Sequence, residues 1–209
     1  LLHREQGRME EARSHWEAAL ALHREVGDGR LEGRVLGNLG GLHQVQGQME
    51  EAQSHYEAAL AIHREVGDRR VEGIVLGNLG GLHFEQGRME EARSQLNAAL
   101  AIHREVGNRR FEGIVLGNLG TLHYGQGRME EARSHYEAAL AIDREVGDRR
   151  VEGILLGNLG DLHLEQGRVE EGRSHYEAAL AIHREVGNRR SEGRVLGELG
   201  ALHFEQDRL

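Results

Sequence analysis

Apolar residues recur at helical spacing in two alternating stretches, which together span a period of 40 residues, as from Gln46 to Gln86. In one period the first stretch carries apolar side chains at Val71, Ile74, Val75, Leu79 and Leu82. The second stretch carries them at Ala92, Leu96, Ala99, Leu100 and Ile102. This spacing is typical of one buried helix face, and no stretch alternates as a half-buried strand does. The pattern predicts two helices per period and an all-α protein.

Capping residues mark the helix boundaries. Asp68 suits an N-cap, because its carboxylate accepts a backbone N–H bond. Gly107 fits the left-handed position that ends a helix, and Asn108 then caps the following one. We therefore expect helices of about 18 residues, near residues 8–26, 28–46 and 48–66 and onward with the same period. The residues expected in the core are Leu39, Leu79, Ala59, Leu60, Ala99 and Leu100.

Successive periods are almost copies of one another. The segment from Gln126 to Gly160 recurs with few changes, beginning at Gln6, Gln46, Gln86 and Gln166, and a further copy begins at Gln206. A fixed period of this length marks a stacked-repeat architecture. We therefore expect residues 1–209 to form a single domain of about five repeats. Because the chain starts and stops inside a repeat, we expect a fragment of a longer array, with uncapped ends that self-associate end to end.

The first helix of each period is rich in glycine, for example at Gly73, Gly77, Gly80 and Gly81. Each interior glycine costs a helix about 1 kcal/mol relative to alanine. Glycines four and seven residues apart share one face of a helix, where they let another backbone approach. We expect that close packing, rather than helix propensity, stabilises this helix.

Composition narrows the class of protein. The net charge of −9 argues against a nucleic-acid partner. Three arginine pairs lie among acidic residues and are expected to form a solvated rim of mixed charge, at Arg69-Arg70, Arg109-Arg110 and Arg149-Arg150. The chain has no cysteine, no apolar run near the ~18 residues of a membrane span, and no recognisable signal peptide. We expect a cytoplasmic protein with no membrane partner.

The residues of each period resemble the tetratricopeptide (TPR) repeat, in the 40-residue form of the LGN/Pins adaptors and kinesin light chain-like proteins. The resemblance covers the whole chain and rests on Leu76-Gly77-Asn78-Leu79-Gly80, Gln86-Gly87, Glu91-Ala92, Leu96 and Ala99-Leu100. It implies a right-handed α-solenoid of antiparallel helix hairpins, a superhelix whose concave groove binds an extended or helical peptide. It implies no particular ligand, because TPR arrays serve many unrelated partners.

Four columns differ among the copies, while most columns scarcely change. All four lie on the first helix of each period, and the first column holds Arg34, Ile74, Ile114, Ile154 and Arg194. The column seven residues later holds Gly41, Gly81, Thr121, Asp161 and Ala201. The column ten residues later holds Gln44, Phe84, Tyr124, Leu164 and Phe204, and the column eleven residues later holds Val45, Glu85, Gly125, Glu165 and Glu205. This spacing puts all four on one stripe. In TPR proteins the matching stripe faces the groove. The alternative is free drift or packing within the solenoid, although large apolar side chains such as Phe84 are poor choices for plain exposure.

A column of asparagines lies beside this stripe, at Asn38, Asn78, Asn118 and Asn158, and changes to Glu198 at the end. A carboxamide both donates and accepts, so a ladder of them can pair with a peptide backbone of any sequence. In LGN-like and kinesin light chain-like repeats the matching asparagines do so, and the alternative is helix packing inside the repeat. The predicted groove comprises these asparagines with Arg34, Ile74, Ile114, Ile154, Arg194, Gly81, Thr121, Asp161, Phe84, Tyr124 and Leu164.

The chemistry of the stripe predicts features of the ligand. We expect apolar ligand side chains at the centre of the groove, where isoleucine and aromatic residues predominate. Acidic ligand residues are expected near Arg34 and Arg194. The glycines beside the asparagines are expected to leave a floor without side chains, at Gly77, Gly117 and Gly157.

No catalytic, cofactor or metal site is indicated. The 14 histidines fall into three repeated columns, and two in one helix, such as His55 and His63, are too far apart to share an ion. Convergence between helices stays open, but regular packing or surface positions explain the columns. Ser54 precedes His55, yet neighbours on a helix point about 100° apart and do not form a nucleophile–base pair.

The sequence therefore predicts a peptide- or protein-binding scaffold without enzymatic activity and without a cofactor. Two other interpretations stay open. The chain is a regulatory or structural segment of a larger signalling protein, such as an NTPase or kinase, or it is a consensus-like or recently duplicated array with no selected ligand.

Overall fold

The structure is a computed structural model that describes the backbone of residues 2–206 and the side chains of residues 7–204. Leu1, Leu209 and the side chains of His3 and Glu205 lie outside the described residues. Within residues 2–206 the chain forms ten helices and no strand: α1 (Leu2–Val26), α2 (Gly29–Val45), α3 (Met49–Glu65), α4 (Arg69–Glu85), α5 (Met89–Glu105), α6 (Arg109–Gly125), α7 (Met129–Val146), α8 (Arg149–Glu165), α9 (Val169–Glu185) and α10 (Arg189–Gln206).

The all-α prediction is confirmed, and most helices begin and end within a residue or two of the expected positions. Helix α1 is the exception, because it starts at Leu2 rather than near residue 8. Gly47 and Gly87 adopt positive φ and end the preceding helices, whereas Gly7 does not, so α1 continues through it.

Tight turns separate the helices, and a glycine in the left-handed region makes each turn. After α3, Gly67 has a φ of 68°, and the next backbone N–H, of Asp68, donates to the carbonyl oxygen of His63 at 2.9 Å. The Asp68 carboxylate then accepts from the N–H of Val71 at 3.3 Å, as its predicted N-cap role requires. Asn188 caps α10 in the same way, through a 3.3 Å bond from the N–H of Ser191.

The helices form two compact units, which divide after Asn108. In unit 1, α1 packs against α2, and the hairpins are α2–α3 and α4–α5. In unit 2, the hairpins are α6–α7 and α8–α9, and α10 packs against α9. The single domain expected over residues 1–209 stays a prediction. We refer to the first helix of each hairpin as helix A and to the second as helix B, so that α10 is an A helix and α1 is a B helix.

The predicted core residues are all buried: Leu39, Leu79, Ala59, Leu60, Ala99 and Leu100. Burying one leucine side chain contributes about 1.5–3 kcal/mol relative to leaving it exposed. Small alanines at the B-helix positions bring the two helices of a hairpin close together, so that leucines of helix A fill the seam between them. The core is thus a thin layer that recurs in every hairpin.

Glycines seven residues apart on helix A receive side chains of helix B. A Cβ at Gly33 would lie 2.7 Å from Nε2 of His63, and a Cβ at Gly40 would lie 2.7 Å from Cδ1 of Tyr56. The close packing expected at the glycines is therefore confirmed for these positions, but side chains rather than another backbone fill the space. Gly37, four residues after Gly33, faces open space, because four residues turn a helix 40° beyond a full revolution.

Ion pairs join the two helices of a hairpin in each unit. In unit 1, Arg69 of α4 bonds the buried carboxylate of Glu72 at 2.6 Å and reaches Glu105 of α5, in the same hairpin, at 2.7 Å. In unit 2, Arg149 bonds Glu152 and reaches Glu185 at 2.7 Å. The first arginine of these pairs stays exposed while it bonds two carboxylates, as the expected solvated rim of mixed charge requires.

No helix within residues 2–206 combines the length and the apolar character that a membrane span needs. The longest helix, α1, includes charged residues throughout.

Candidate functional site

In unit 1 the predicted stripe lies on α2 and α4. Asn38 and Asn78 are exposed, and their side chains hydrogen-bond no other described residue. Arg34 is also exposed, and Ile74 is half-buried beside it. The amides are available to a ligand, because the protein does not use their hydrogen-bonding capacity.

A concavity of about 300 Å³ brings these residues together. Its walls are Gly33, Arg34, Gly37, Asn38, Val71, Ile74, Val75 and Asn78. Gly37 lies in the same column as the predicted floor glycines, and it has no atom within reach of an added Cβ. The structure thus assembles an apolar depression with two amides and one guanidinium at its rim.

The other end of the unit 1 stripe is a chain of hydrogen bonds. Tyr56 of α3 donates to Oε1 of Gln44 at 3.0 Å, and Gln44 donates to Glu85 at 3.0 Å. Burial, reinforced by the charge of Glu85, raises the pKa of Tyr56 to about 12, so the phenol keeps its proton at neutral pH. Phe84 is half-buried next to this chain, and Gly81 faces open space.

In unit 2 the stripe lies on α6, α8 and α10. Asn118 is exposed and Asn158 is half-buried. Ile114 is half-buried, and Ile154 is among the exposed large hydrophobic residues. A smaller concavity, of about 160 Å³, is lined by Thr121, Tyr124, Tyr136, Asn158 and Asp161.

Two of the variable positions in unit 2 have partners on helix B. Tyr136 donates to the hydroxyl of Thr121 at 3.2 Å, and Tyr176 donates to Oδ1 of Asp161 at 2.5 Å. The column of Thr121 and Asp161 therefore varies in part because its side chains bond helix B of the same hairpin. Membership of Thr121 and Asp161 in a ligand groove stays a prediction.

Arg194 differs from its expected role. Its Nη1 donates to Oδ2 of Asp161 at 3.2 Å, so the guanidinium already has a carboxylate partner. It also lies directly over Gly157, where an added Cβ would clash with Nη2. The expected bare floor is therefore wrong at Gly157, and at Gly117 it is narrowed by Leu155, 3.3 Å from an added Cβ. Arg34 in unit 1 has no such partner among the described residues.

The variable column that holds Tyr124 and Leu164 is split between packing and exposure. The Tyr124 hydroxyl donates to Glu165 at 2.5 Å, and burial followed by this bond raises the pKa of Tyr124. Leu164 packs close to Gly172, which stands where the sister hairpins have Ala92 and Ala132. Both side chains stay half-buried, so each still presents apolar surface beside the stripe.

Histidines of the two helices of a hairpin stack on each other. His43 stacks on His55, with ring centroids 4.9 Å apart, and His163 stacks on His175 in the same way. These contacts join the two helices of a hairpin. Histidines of different helices do therefore come together, which their spacing along the sequence leaves open. Among the described residues, no group of three or more His, Cys, Asp or Glu side chains is placed to hold a metal ion.

Sequence reasoning missed the contribution of helix B to the stripe. The phenols of Tyr56, Tyr136 and Tyr176 reach polar side chains of helix A, at Gln44, Thr121 and Asp161. The sister position in α5 is Leu96, which packs against Gly80. Its hairpin has Gly81 and Phe84 in the columns where the other hairpins offer a polar partner, so comparing these columns offers a signal.

Comparisons with known proteins place the chain among helical repeat proteins. The tetratricopeptide repeat family matches residues 1–65, 31–105, 71–145 and 150–209. A sequence comparison with curated proteins finds no significant match.

Three solved structures illustrate the similarity in fold. BtubC (BKLC) from P. vanneervenii is 18% identical, with a TM-score of 0.72 over 97% of this chain and 92% of that one. The nearly identical TPR-like repeats of a putative kinesin light chain from Podosopora anserina are 17% identical, with a TM-score of 0.68 over 89% and 92%. A Rap protein complexed with Competence and Sporulation Factor is 16% identical, with a TM-score of 0.77 over 99% of this chain and 63% of that protein.

These identities support the fold alone, whereas the family match extends over nearly the whole sequence. The helix hairpins, the left-handed glycine turns and the glycine-lined seams agree with that match. The chain belongs to the tetratricopeptide repeat family.

Proposed function

We propose that the chain is a peptide- or protein-binding scaffold whose ligand lies along the A-helix stripe. One observation carries the proposal. Asn38 and Asn78 in unit 1 are exposed and unbonded within the described protein, beside a concavity with an apolar wall. A carboxamide in this situation can donate to and accept from a ligand backbone without giving up a bond inside the protein.

The pattern of variation supports the same surface. Successive hairpins share almost all their residues, yet they differ at Ile74, Phe84, Tyr124 and Leu164, which all stay half-buried. Half-buried apolar side chains beside exposed amides are typical of surfaces that bind a partner. A relative in fold, the Rap protein, is complexed with Competence and Sporulation Factor, which shows that this kind of array can hold a ligand.

We further propose that the scaffold acts without catalysis or a cofactor, in the cytoplasm. The stripe carries amide, apolar and paired ionic side chains, and it has no nucleophile held by a base as covalent catalysis needs. Its contribution is therefore recognition.

A peptide-library selection tests the proposal. Peptides selected on the wild type should bind at least about tenfold more weakly to the triple variant Asn78→Ala, Asn118→Ala and Asn158→Ala, because each lost amide pairing costs about 0.5–1.5 kcal/mol. Asn97→Ala is the matched control, since Asn97 is exposed on helix α5 and lies outside the stripe. Peptides that bind the wild type and the triple variant equally would refute the groove, and a selection that enriches nothing favours an array without a ligand.

We also propose that this chain associates end to end. Helix α10 exposes Leu196 to 43%, although the equivalent Leu156 is only 4% exposed. Helix α1 exposes Leu22 to 61%, although the equivalent Ile102 is only 4% exposed. Each of these terminal helices therefore presents an apolar face that the inner helices bury.

A further inference from the structure

The two units differ in the charge of their stripes. On its described stripe and in the asparagine column beside it, unit 2 carries three carboxylates, Asp161, Glu165 and Glu198, against the single guanidinium of Arg194. The same columns in unit 1 hold one arginine, Arg34, and one carboxylate. The stripe of unit 2 is therefore acidic, whereas that of unit 1 is close to neutral.

Nearby arginines do not cancel this charge. Arg150 and Arg190 lie in the first turns of their helices, beside the loops. Arg150 precedes Asp161 by eleven residues, which is about 16 Å of helix. The sister residue Arg110 turns away from the stripe to pair with Asp148 in the following loop, at 2.9 Å. Among the described residues of the stripe, only Arg194 offsets these carboxylates, and the remaining negative charge can attract a ligand.

The concavity at Asp161 has the lining that a cation needs. Two phenol rings, Tyr124 and Tyr136, stand beside one carboxylate, with the hydroxyl of Thr121 and the amide of Asn158 completing the walls. Aromatic faces attract cations, and a carboxylate adds a charge-assisted acceptor. Among these lining residues, none carries a positive charge.

Arg194 shows how a cation reaches this carboxylate. Its guanidinium extends over Gly157 and donates to Oδ2 of Asp161, while Oδ1 accepts from Tyr176. The pair is partly exposed on both sides, and such pairs contribute little to stability. A ligand cation can therefore take this place without a large penalty to the fold.

We infer that the stripe of unit 2 binds a basic segment of a peptide ligand, with a lysine or arginine side chain that bonds Asp161 in competition with Arg194. The inference rests on the proposed function, because it assigns the ligand chemistry of the same surface. It reverses the expectation of acidic ligand residues at this end of the array. Arg34, which pairs with no carboxylate among the described residues, keeps that expectation for unit 1.

Two labelled decapeptides test the inference on the full chain. One alternates leucine and lysine, the other alternates leucine and glutamate, and fluorescence anisotropy measures their affinities. The lysine peptide should lose about tenfold in affinity for Asp161→Asn, the loss expected of one charged hydrogen bond. This substitution keeps an acceptor for the Tyr176 phenol, so the hairpin stays folded. Arg194→Ala should raise the affinity for the lysine peptide severalfold, because it removes the competing guanidinium.

A matched control separates recognition from net charge. Glu137→Gln removes one negative charge from an exposed position on the B helix α7 and should leave the lysine peptide unaffected. Equal losses for Asp161→Asn and Glu137→Gln, or unchanged affinity in Asp161→Asn or Arg194→Ala, would overturn the inference.

The double variant Asn118→Ala, Asn158→Ala keeps the two proposals distinguishable. If it weakens peptide binding while Asp161→Asn does not, the groove stands and the basic ligand falls. If neither changes the affinity, both proposals fall for unit 2. If the lysine peptide binds neither the wild type nor Arg194→Ala, the basic ligand falls alone, since the library selection tests the groove independently.

Discussion

Asp143 occupies a position that holds histidine in the sister B helices, at His63, His103 and His183. Its carboxylate is 0% exposed, and a Cβ at Gly113 would lie only 2.9 Å from its Oδ1. Neither oxygen accepts a hydrogen bond from a described residue. A neutral imidazole tolerates this burial better than a carboxylate does, because burial penalises the charged form.

The titration of Asp143 therefore affects stability. Burial, together with the charges of Asp148 and Glu152, raises the pKa of Asp143 to about 6, against the pull of Arg110. An unfolded aspartate titrates near a pKa of about 3.9. Because the folded pKa is the higher one, the protonated group stabilises the fold fully below the unfolded pKa, and this contribution is lost as the pH rises through the folded pKa.

Replacing Asp143 by the sister residue should therefore give a pH-dependent reversal. At pH 7.5, Asp143→His should raise the free energy of unfolding by on the order of 2–3 kcal/mol, because one pKa unit corresponds to about 1.4 kcal/mol. At pH 4.5 the variant should be the less stable protein. Burial lowers the pKa of His183, so a histidine in this setting loses stability as the pH falls.

Urea unfolding followed by circular dichroism at both pH values measures the reversal. Glu137→Gln, on the same helix but exposed, is the control and should differ from the wild type in the free energy of unfolding by less than about 0.5 kcal/mol at either pH. A change of the same sign and size at pH 4.5 and pH 7.5 would mean that Asp143 does not titrate in the folded protein as its burial indicates.

At the scale of one helix, two adjacent glycines of α4 separate packing from propensity. A Cβ at Gly80 would lie 2.7 Å from Cγ of Leu96 and 3.3 Å from the carbonyl oxygen of Ala92. A Cβ at Gly81 would meet nothing within 4 Å. The two positions have the same helical backbone, so they differ only in what surrounds the added methyl group.

Substituting each glycine by alanine should thus have opposite effects. Gly80→Ala should lower the free energy of unfolding by about 1–3 kcal/mol through overpacking, because the backbone carbonyl of Ala92 cannot move aside. Gly81→Ala should raise it by about 0.5–1 kcal/mol through helix propensity. Urea unfolding of the two variants measures both values. Destabilisation by Gly81→Ala would show that this position is packed.

At the scale of the whole molecule, the exposed faces of α1 and α10 predict association. Gly193 of α10 faces open space, whereas its sister Gly153 receives the His183 ring of the following helix. Sedimentation velocity over a range of concentrations should show reversible association of the chain, which Leu22→Gln with Leu196→Gln weakens. Ala181→Gln, at an exposed position of α9, is the control. A strict monomer at high concentration would count against end-to-end contact.

The sequence by itself determined the helices, their turns and the hairpin core. Asp68 caps a helix, Gly107 ends one, and Leu79 and Ala99 face the seam, all as predicted. These features depend on residues within one or two turns of each other, where apolar spacing and capping chemistry act directly. The repetition of the pattern then reproduced the same hairpin along the chain.

Only the tertiary structure decided which side chains of the stripe keep their hydrogen-bonding groups for a ligand. Arg34 and Arg194 occupy the same column, yet among the described residues only Arg194 has a carboxylate partner, Asp161, which lies 33 residues earlier on the neighbouring helix. The tyrosine that bonds Asp161 belongs to helix B, 15 residues later. Such pairings depend on how helices stack and how far side chains extend between them, and spacing along one helix carries no record of either.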